Sequence, residues 1–166
     1  MSKLSQLNAA SLDEFVLAVG SVYELSPHFA QRAAARRPFA KADDLRQALR
    51  AEVDEASEAE KLALIKAHPD LVDRAVLTAE SQGEQAAAGL TDLSPAEVES
   101  FRRHNVSYRA RFGFPFIICA RLNKKEAILE AFPARLQNEA EVEKRAALDE
   151  IHKIAALRLH DILWEN

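Results

Sequence analysis

Three places in the chain combine residues that can move protons or hold anions with local settings that would fix them in place. The first is His68-Pro69-Asp70-Leu71. An imidazole titrates near neutral pH and can give or take a proton. Proline pushes the residue before it out of the α region, so a helix running through Leu62 and Ile65 should end at His68, with the side chain held by the turn. A helix-terminal histidine that complements the helix dipole accounts for the same residues. The second place is Glu80-Ser81-Gln82-Gly83-Glu84-Gln85, followed by Ala86-Ala87-Ala88-Gly89-Leu90. It reads as the polar start of a helix of small residues, ended by Gly89 at the C′ position. Free N–H groups at a helix start can bind an anion or a carbonyl oxygen, and the alanines would let a ligand or another backbone come close. A solvated amphipathic turn is the plainer reading.

The third place is Arg158. On a helical wheel, Ile154, Arg158, Ile151, Ile162, Ala155 and Leu148 share one arc about 120° wide. The guanidinium thus lies inside an apolar face, where an unpaired charge is costly. Its partner is either a structural Asp or Glu, or a ligand carboxylate held bidentately. Its place on the apolar arc predicts that Arg158→Leu keeps the fold, since a hydrophobic isostere can replace a buried charge, and that ligand binding weakens; unfolding of the variant would favour the structural partner.

The elements that must position these groups are helical. Ser11-Leu12-Asp13-Glu14, Ser57-Glu58-Ala59-Glu60 and Ser94-Pro95-Ala96-Glu97 each place serine at N-cap and glutamate at N3 of a capping box, the last with proline at N1. The prolines read as segment boundaries. Helices are expected near 12–24, 27–35, 42–55, 58–67, 81–88, 95–111, 124–131 and 139–163. The stretch from Phe112 to Ala120 is β-branched and aromatic, broken by Gly113 and Pro115. It is expected as an extended segment buried between helices, or as a distorted helix start. The whole, 1–166, reads as one all-α domain, a helical bundle of about eight helices.

With 166 residues, nearly half of them apolar, and only 4 glycines and 6 prolines, the chain suits a helical globular domain with a sizeable core. Its 26 acidic and 22 basic residues alternate without a basic stripe, so no nucleic-acid partner is expected. No apolar run reaches membrane-spanning length. Met1 to Gln6 lacks a signal-peptide core, and Trp164-Glu165-Asn166 is not a peroxisomal address, so a cytoplasmic protein is expected. The single cysteine, Cys119, and the absence of an H-x-x-x-H pair among five histidines argue against a metal site. Cys119 reads as a small apolar wall residue, since no paired histidine would activate it.

Taken together, H-P-D-L at 68–71, E-S-x-x-E-Q at 80–85 with A-G-L at 88–90, and F-G-F-P-F at 112–116 leading into I-I-C-A-R resemble the 2-oxo-4-hydroxy-4-carboxy-5-ureidoimidazoline (OHCU) decarboxylase family. Tyr23-Glu24-Leu25-Ser26-Pro27 and Arg37-Pro38-Phe39 look like its N-terminal signatures. The resemblance covers nearly the whole chain. His28 and Gln31 depart from it, where tryptophan and glutamate are usual; neither falls on the motifs that carry chemistry. The resemblance implies a helical homodimer without metal or organic cofactor, acting on a small ureidoimidazoline in urate breakdown to give (S)-allantoin. It implies a catalytic histidine and glutamate at His68 and Glu84, with Arg158 as the arginine of the last helix. It implies substrate binding by Pro69, by Ser81, Gln82, Gly83, Glu84 and Gln85, and by Phe116, Ile117, Ile118, Cys119 and Ala120. Two rivals stand beside it: a helical interaction module, and a hydrolase that uses His68 and Glu84 to activate water.

Overall fold

The computed structural model describes residues 1–72 and 77–164. It is all-α. In chain order the helices are α1 (Lys3–Ala9), α2 (Leu12–Val19), α3 (His28–Ala33), α4 (Ala42–Asp54), α5 (Glu58–Lys66), α6 (Ala79–Ala87), α7 (Pro95–Phe112), α8 (Lys125–Leu136) and α9 (Ala140–Trp164), with 3₁₀ turns at Gly20–Val22, Ala34–Arg36 and Ala120–Leu122. The Cα framework divides into two compact units, Met1–Ala67 with His152–Asn166, and His68–Ile151.

Local sequence accounts for most helix starts. Ser11 and Glu14 form the expected capping box, as do Ser94 and Glu97 with Pro95 at N1. Ser57 caps α5 through the Glu60 N–H, but the Glu60 carboxylate accepts from Arg32 instead, at 2.5 Å. Three expectations need correction. The helix expected over 12–24 stops at Val19 and tightens into a 3₁₀ turn, and the one over 27–35 does the same after Ala33. Pro133 lies inside α8, which runs on to Leu136. The proline is on the exposed side while Phe132 is buried, so the lost hydrogen bond falls where water can reach and packing carries the helix through. Helix α1 was not expected at all.

In the first unit α3 packs on α2 and α4, burying Phe15, Val19, Phe29, Leu45 and Leu49. The Arg37-Pro38-Phe39 signature has a structural task there. Arg37 donates to the carbonyls of Leu7, Ala10 and Ala34 at 3.2, 2.7 and 3.0 Å; Leu7 and Ala10 lie at the end of α1, where helix carbonyls lack intrahelical partners. The Asn8 amide bonds both the N–H and the C=O of Phe39, each at 2.8 Å. The Arg37–Pro38 peptide is cis.

In the second unit α7 packs on α8 around Phe101, Tyr108, Phe116 and Phe132, with Phe116 stacked on Phe132 at 3.9 Å between centroids. Glu143, fully buried, accepts from the Tyr108 hydroxyl and from Arg135, each at 2.5 Å, and from Asn138 at 3.0 Å.

The chain has two tyrosines, and both are buried. Burial pushes both phenols well above their usual range, with Asp54 adding to the effect at Tyr23 and the Glu143 hydrogen bond adding at Tyr108. A folded-state pKa raised above the unfolded value near 10 contributes stability that is complete below about pH 10 and is lost as pH rises further. Ultraviolet titration should therefore show no phenolate through that region, then both tyrosines ionising together as the protein unfolds. A smooth, independent titration of either phenol near pH 10 would contradict the packing.

Candidate functional site

His68 directly follows Ala67, the C-cap of α5, and Pro69 prevents the helix from continuing. The imidazole is buried, 7% exposed, so it is not a solvated residue merely facing a helix end. After it the chain turns through Asp70, Leu71 and Val72. Val72 has φ +61°, a left-handed conformation that is unusual for a β-branched residue.

The second motif lies within α6, which begins two residues earlier than expected. Thr78 is the N-cap, and its Oγ1 accepts from the Ser81 N–H at 3.2 Å. The N–H of Gln82 bonds the Thr78 carbonyl at 2.9 Å. The expectation of free donors along Ser81 to Gln85 therefore fails at these two positions, because Thr78 and the helix already use them. The helix end is as expected. Gly89 takes φ +84°, its N–H bonds Ala86 O at 3.0 Å, and the Leu90 N–H reaches Gln85 O at 3.0 Å. This is a Schellman motif, which suits glycine at C′. A Cβ added at Gly83 would meet nothing within 4 Å, so that glycine is not required by neighbouring backbone.

The third segment is irregular up to Cys119, where the Ala120–Leu122 turn begins, and it is buried from Phe114 to Ala120. Buried irregular backbone needs side chains to satisfy it. Arg135 donates to the Ile117 carbonyl. Glu150 accepts from the Cys119 N–H at 3.2 Å, and Asn123 donates to the Cys119 carbonyl at 2.9 Å. These groups are already occupied by the protein. Arg135 also lies over the Phe116 ring, 4.3 Å from its centroid.

All three segments belong to the second unit, and specific contacts join them. The Val72 N–H donates to Gln85 Oε1 at 3.1 Å, tying the turn after His68 to α6. Helix α6 packs on the Ala120–Leu122 turn, and Lys124 Nζ donates to Ala87 O at 3.0 Å. Burial raises the Cys119 thiol pKa, and the carboxylates of Glu150 and Glu84 push it further up. A cavity of about 270 Å³ opens beside Asp70, lined by Asn105 and Arg109 of α7. His68, Glu84 and residues 116–120 do not line it.

Arg158 belongs to the first unit. It is buried, as the wheel requires, and bonds Glu24 Oε2 at 2.8 Å and the Ser21 carbonyl at 3.0 Å. Glu24, only 2% exposed, is the structural carboxylate that the sequence left open as one of two partners. Sequence reasoning also missed His152, whose Nδ1 is 3.0 Å from Tyr23 Oη and whose Nε2 is 3.1 Å from Asp54. It missed Glu143 too, although steps of four from Ile151 through Ala147 lead back to it along the buried side of α9. Among the described residues no group of three or more His, Cys, Asp or Glu is placed to hold a metal ion.

Comparisons with known proteins agree with the motifs. The family model described as OHCU decarboxylase matches residues 8–160. A protein of Haloferax volcanii named 2-oxo-4-hydroxy-4-carboxy-5-ureidoimidazoline decarboxylase is 45% identical over 156 residues, which is 94% of this chain and 93% of that one. A crystal structure of an (S)-allantoin synthase superposes with TM-score 0.79 at 30% identity over 96% of this chain; the chain spans 54% of that synthase chain. A crystal structure of an OHCU decarboxylase in the presence of (S)-allantoin superposes with TM-score 0.72 at 26% identity, covering 91% of this chain and 97% of that one.

Two predictions follow from these environments. Arg158→Leu removes the guanidinium bound to the buried Glu24 carboxylate. Where the sequence led to the expectation that this variant keeps the fold, the pair makes it costly: it should lose about 3–5 kcal/mol, and Glu24→Leu/Arg158→Leu should recover most of it in urea denaturation. Parent-like stability of the single variant would show that the pair is not formed. Cys119 is 1% exposed and its thiol pKa is raised, so the thiolate, the reactive form, is scarce at neutral pH. Mass spectrometry should find iodoacetamide labelling of native protein far slower than of urea-unfolded protein; equal rates would contradict that burial.

Proposed function

Because the chain belongs to the OHCU decarboxylase family, we propose that it decarboxylates 2-oxo-4-hydroxy-4-carboxy-5-ureidoimidazoline to (S)-allantoin in urate degradation, with His68 and Glu84 as its catalytic residues. The observation that carries the assignment of residues is the linkage within one unit of the His68 turn, α6 and the 116–120 segment, through Gln85 and through the packing of α6 on Ala120–Leu122.

The substrate carries a hydroxyl and a carboxylate on one ring carbon, next to a C=N bond. When the carbon–carboxylate bond breaks, CO₂ leaves and its electron pair stays on the ring carbon. A C=C bond forms towards the neighbouring carbon, and the C=N π pair moves to nitrogen, which takes up a proton. The enol so formed then loses its hydroxyl proton as the neighbouring carbon gains one, giving the ring carbonyl of allantoin. The substrate is its own electron sink, so the reaction calls on no pyridoxal or thiamine. What the protein must supply is orientation, exclusion of water and delivery of a proton to one face only.

His68 manages that proton. Its buried position keeps it from exchanging freely with bulk water, and the turn holds its direction. Glu84 accepts a hydrogen bond from the substrate hydroxyl and orients it. Pro69, Ser81, Gln82, Gly83, Gln85 and the segment Phe116, Ile117, Ile118, Cys119 and Ala120 complete the binding surface. Since Ile117 O and both backbone groups of Cys119 are already bonded, the segment contributes mainly shape and apolar walls at those positions. Cys119, with its raised pKa, stays a thiol and is not a nucleophile. The proposal includes substrate binding by Arg158, as the resemblance implies, alongside its bonds to Glu24 and Ser21. A cytoplasmic homodimer is the remaining expectation of the same proposal.

The test is a pair of near-isosteric substitutions. His68→Asn keeps size and some hydrogen bonding but cannot shuttle a proton at neutral pH. Glu84→Gln keeps shape and loses the carboxylate. Stopped-flow assays on freshly generated substrate should show turnover falling by about 10²–10⁴-fold for His68→Asn and a clear loss for Glu84→Gln, with thermal stability nearly unchanged. The limb of the pH profile that reports histidine should vanish in His68→Asn. Parent-like turnover in both variants would leave the family in place and overturn the residue roles.

A further inference from the structure

We propose that Arg109 and Asn105 of α7 are positioning residues: they clamp the turn that carries His68 and so set the aim of its imidazole. This inference rests on the assignment of His68 as the proton carrier.

The turn from His68 to Val72 is short, has no regular secondary structure, and ends on a valine with φ +61°. A backbone conformation of that kind persists only where surrounding contacts over-determine it. Three such contacts exist, one on each successive residue after Pro69. Arg109 Nε is 2.9 and 3.0 Å from the two carboxylate oxygens of Asp70. The Asn105 amide donates to Leu71 O at 2.8 Å. The Val72 N–H donates to Gln85 Oε1 at 3.1 Å.

Asn105 and Arg109 are one helical turn apart, so they form a single row on α7. Asn105 is 9% exposed, and its Oδ1 has no hydrogen-bond partner among the described residues. A buried amide half-satisfied in this way is costly, and the bond to Leu71 is what offsets its burial. The Arg109–Asp70 pair is partly solvated, and a partly solvated pair adds little to global stability. Its effect is local, because Asp70 is joined to His68 through the rigid ring of Pro69. Fixing Asp70 from α7 and Val72 from α6 therefore fixes the backbone that follows His68, within the same unit. Misplacement of a catalytic group by about 1 Å can cost about 10²-fold in rate, so a clamp at this distance is sufficient to matter for turnover.

The test is a double-mutant cycle with separate kcat and KM. Arg109→Met and Asp70→Asn each release the clamp, and the partly exposed Arg109 can be changed without stranding a buried charge. Each is expected to lower kcat by about 10- to 100-fold with KM changed less than about threefold and the thermal midpoint nearly unchanged. The combined Asp70→Asn/Arg109→Met variant should be no slower than either single. In a His68→Asn background, Arg109→Met should have no further effect, because it acts through the imidazole. Arg109→Lys, which keeps charge but loses the planar fork, should recover only part of the rate. Parent-like kcat in Arg109→Met, or a full further loss in the His68→Asn background, would overturn the clamp. If His68→Asn itself turns over like the parent, the assignment of His68 fails and the clamp fails with it, a result distinct from an active Arg109→Met beside an inactive His68→Asn.

Discussion

Much of the second unit depends on one buried ion pair. Glu143 is fully buried, and an isolated carboxylate there would be prohibitively costly. Arg135 compensates it, with the Tyr108 hydroxyl and the Asn138 amide as further donors. The same guanidinium donates to Ile117 O and covers the Phe116 ring. The pair therefore holds α7, α8 and α9 to one another and braces the irregular segment that bears five of the proposed binding residues. Removing either partner should cost about 3–5 kcal/mol by leaving the other charge buried. This constraint explains why α8 continues past Pro133: ending the helix there would misplace Arg135.

The first unit uses the same device with different residues. Arg158 and Glu24 form a buried pair, and Glu24 sits beside Leu25, which takes φ +48°. The Tyr23-Glu24-Leu25-Ser26-Pro27 signature thus has an electrostatic reason as well as a packing one. The Arg37-Pro38-Phe39 signature gathers carbonyls at the end of α1. Both signatures look like recognition motifs in the sequence and are, in large part, solutions to satisfying buried polar groups.

What was legible in the sequence followed from local rules. Serine caps, glycine at C′ and apolar periodicity marked six of the helices to within two residues at each end, and the Phe112–Ala120 stretch announced itself by β-branched composition and Pro115. Helix α1 was invisible because seven residues carry too little periodicity, and it is fixed by distant groups, Arg37 and Phe39. Pro133 misled because the rule against proline is local, whereas the force that extends α8 is tertiary. Glu143 and Arg135 were missed because a charged residue in the first or last turn of a helix looks solvated; only the step of four from Ala147 to Glu143 hinted otherwise. For the site, His68 and Glu84 could be named from motif and chemistry. The contacts made by the turn after His68, through Gln85, Asn105 and Arg109, join positions too far apart in sequence for any local pattern to show.

If this chain directs the stereochemistry of a decarboxylation with its own side chains, circular dichroism of substrate freshly generated from 5-hydroxyisourate, followed with a chelator present, should show dextrorotatory (S)-allantoin accumulating well ahead of spontaneous decay. Racemic product formed at the uncatalysed rate would overturn that reading.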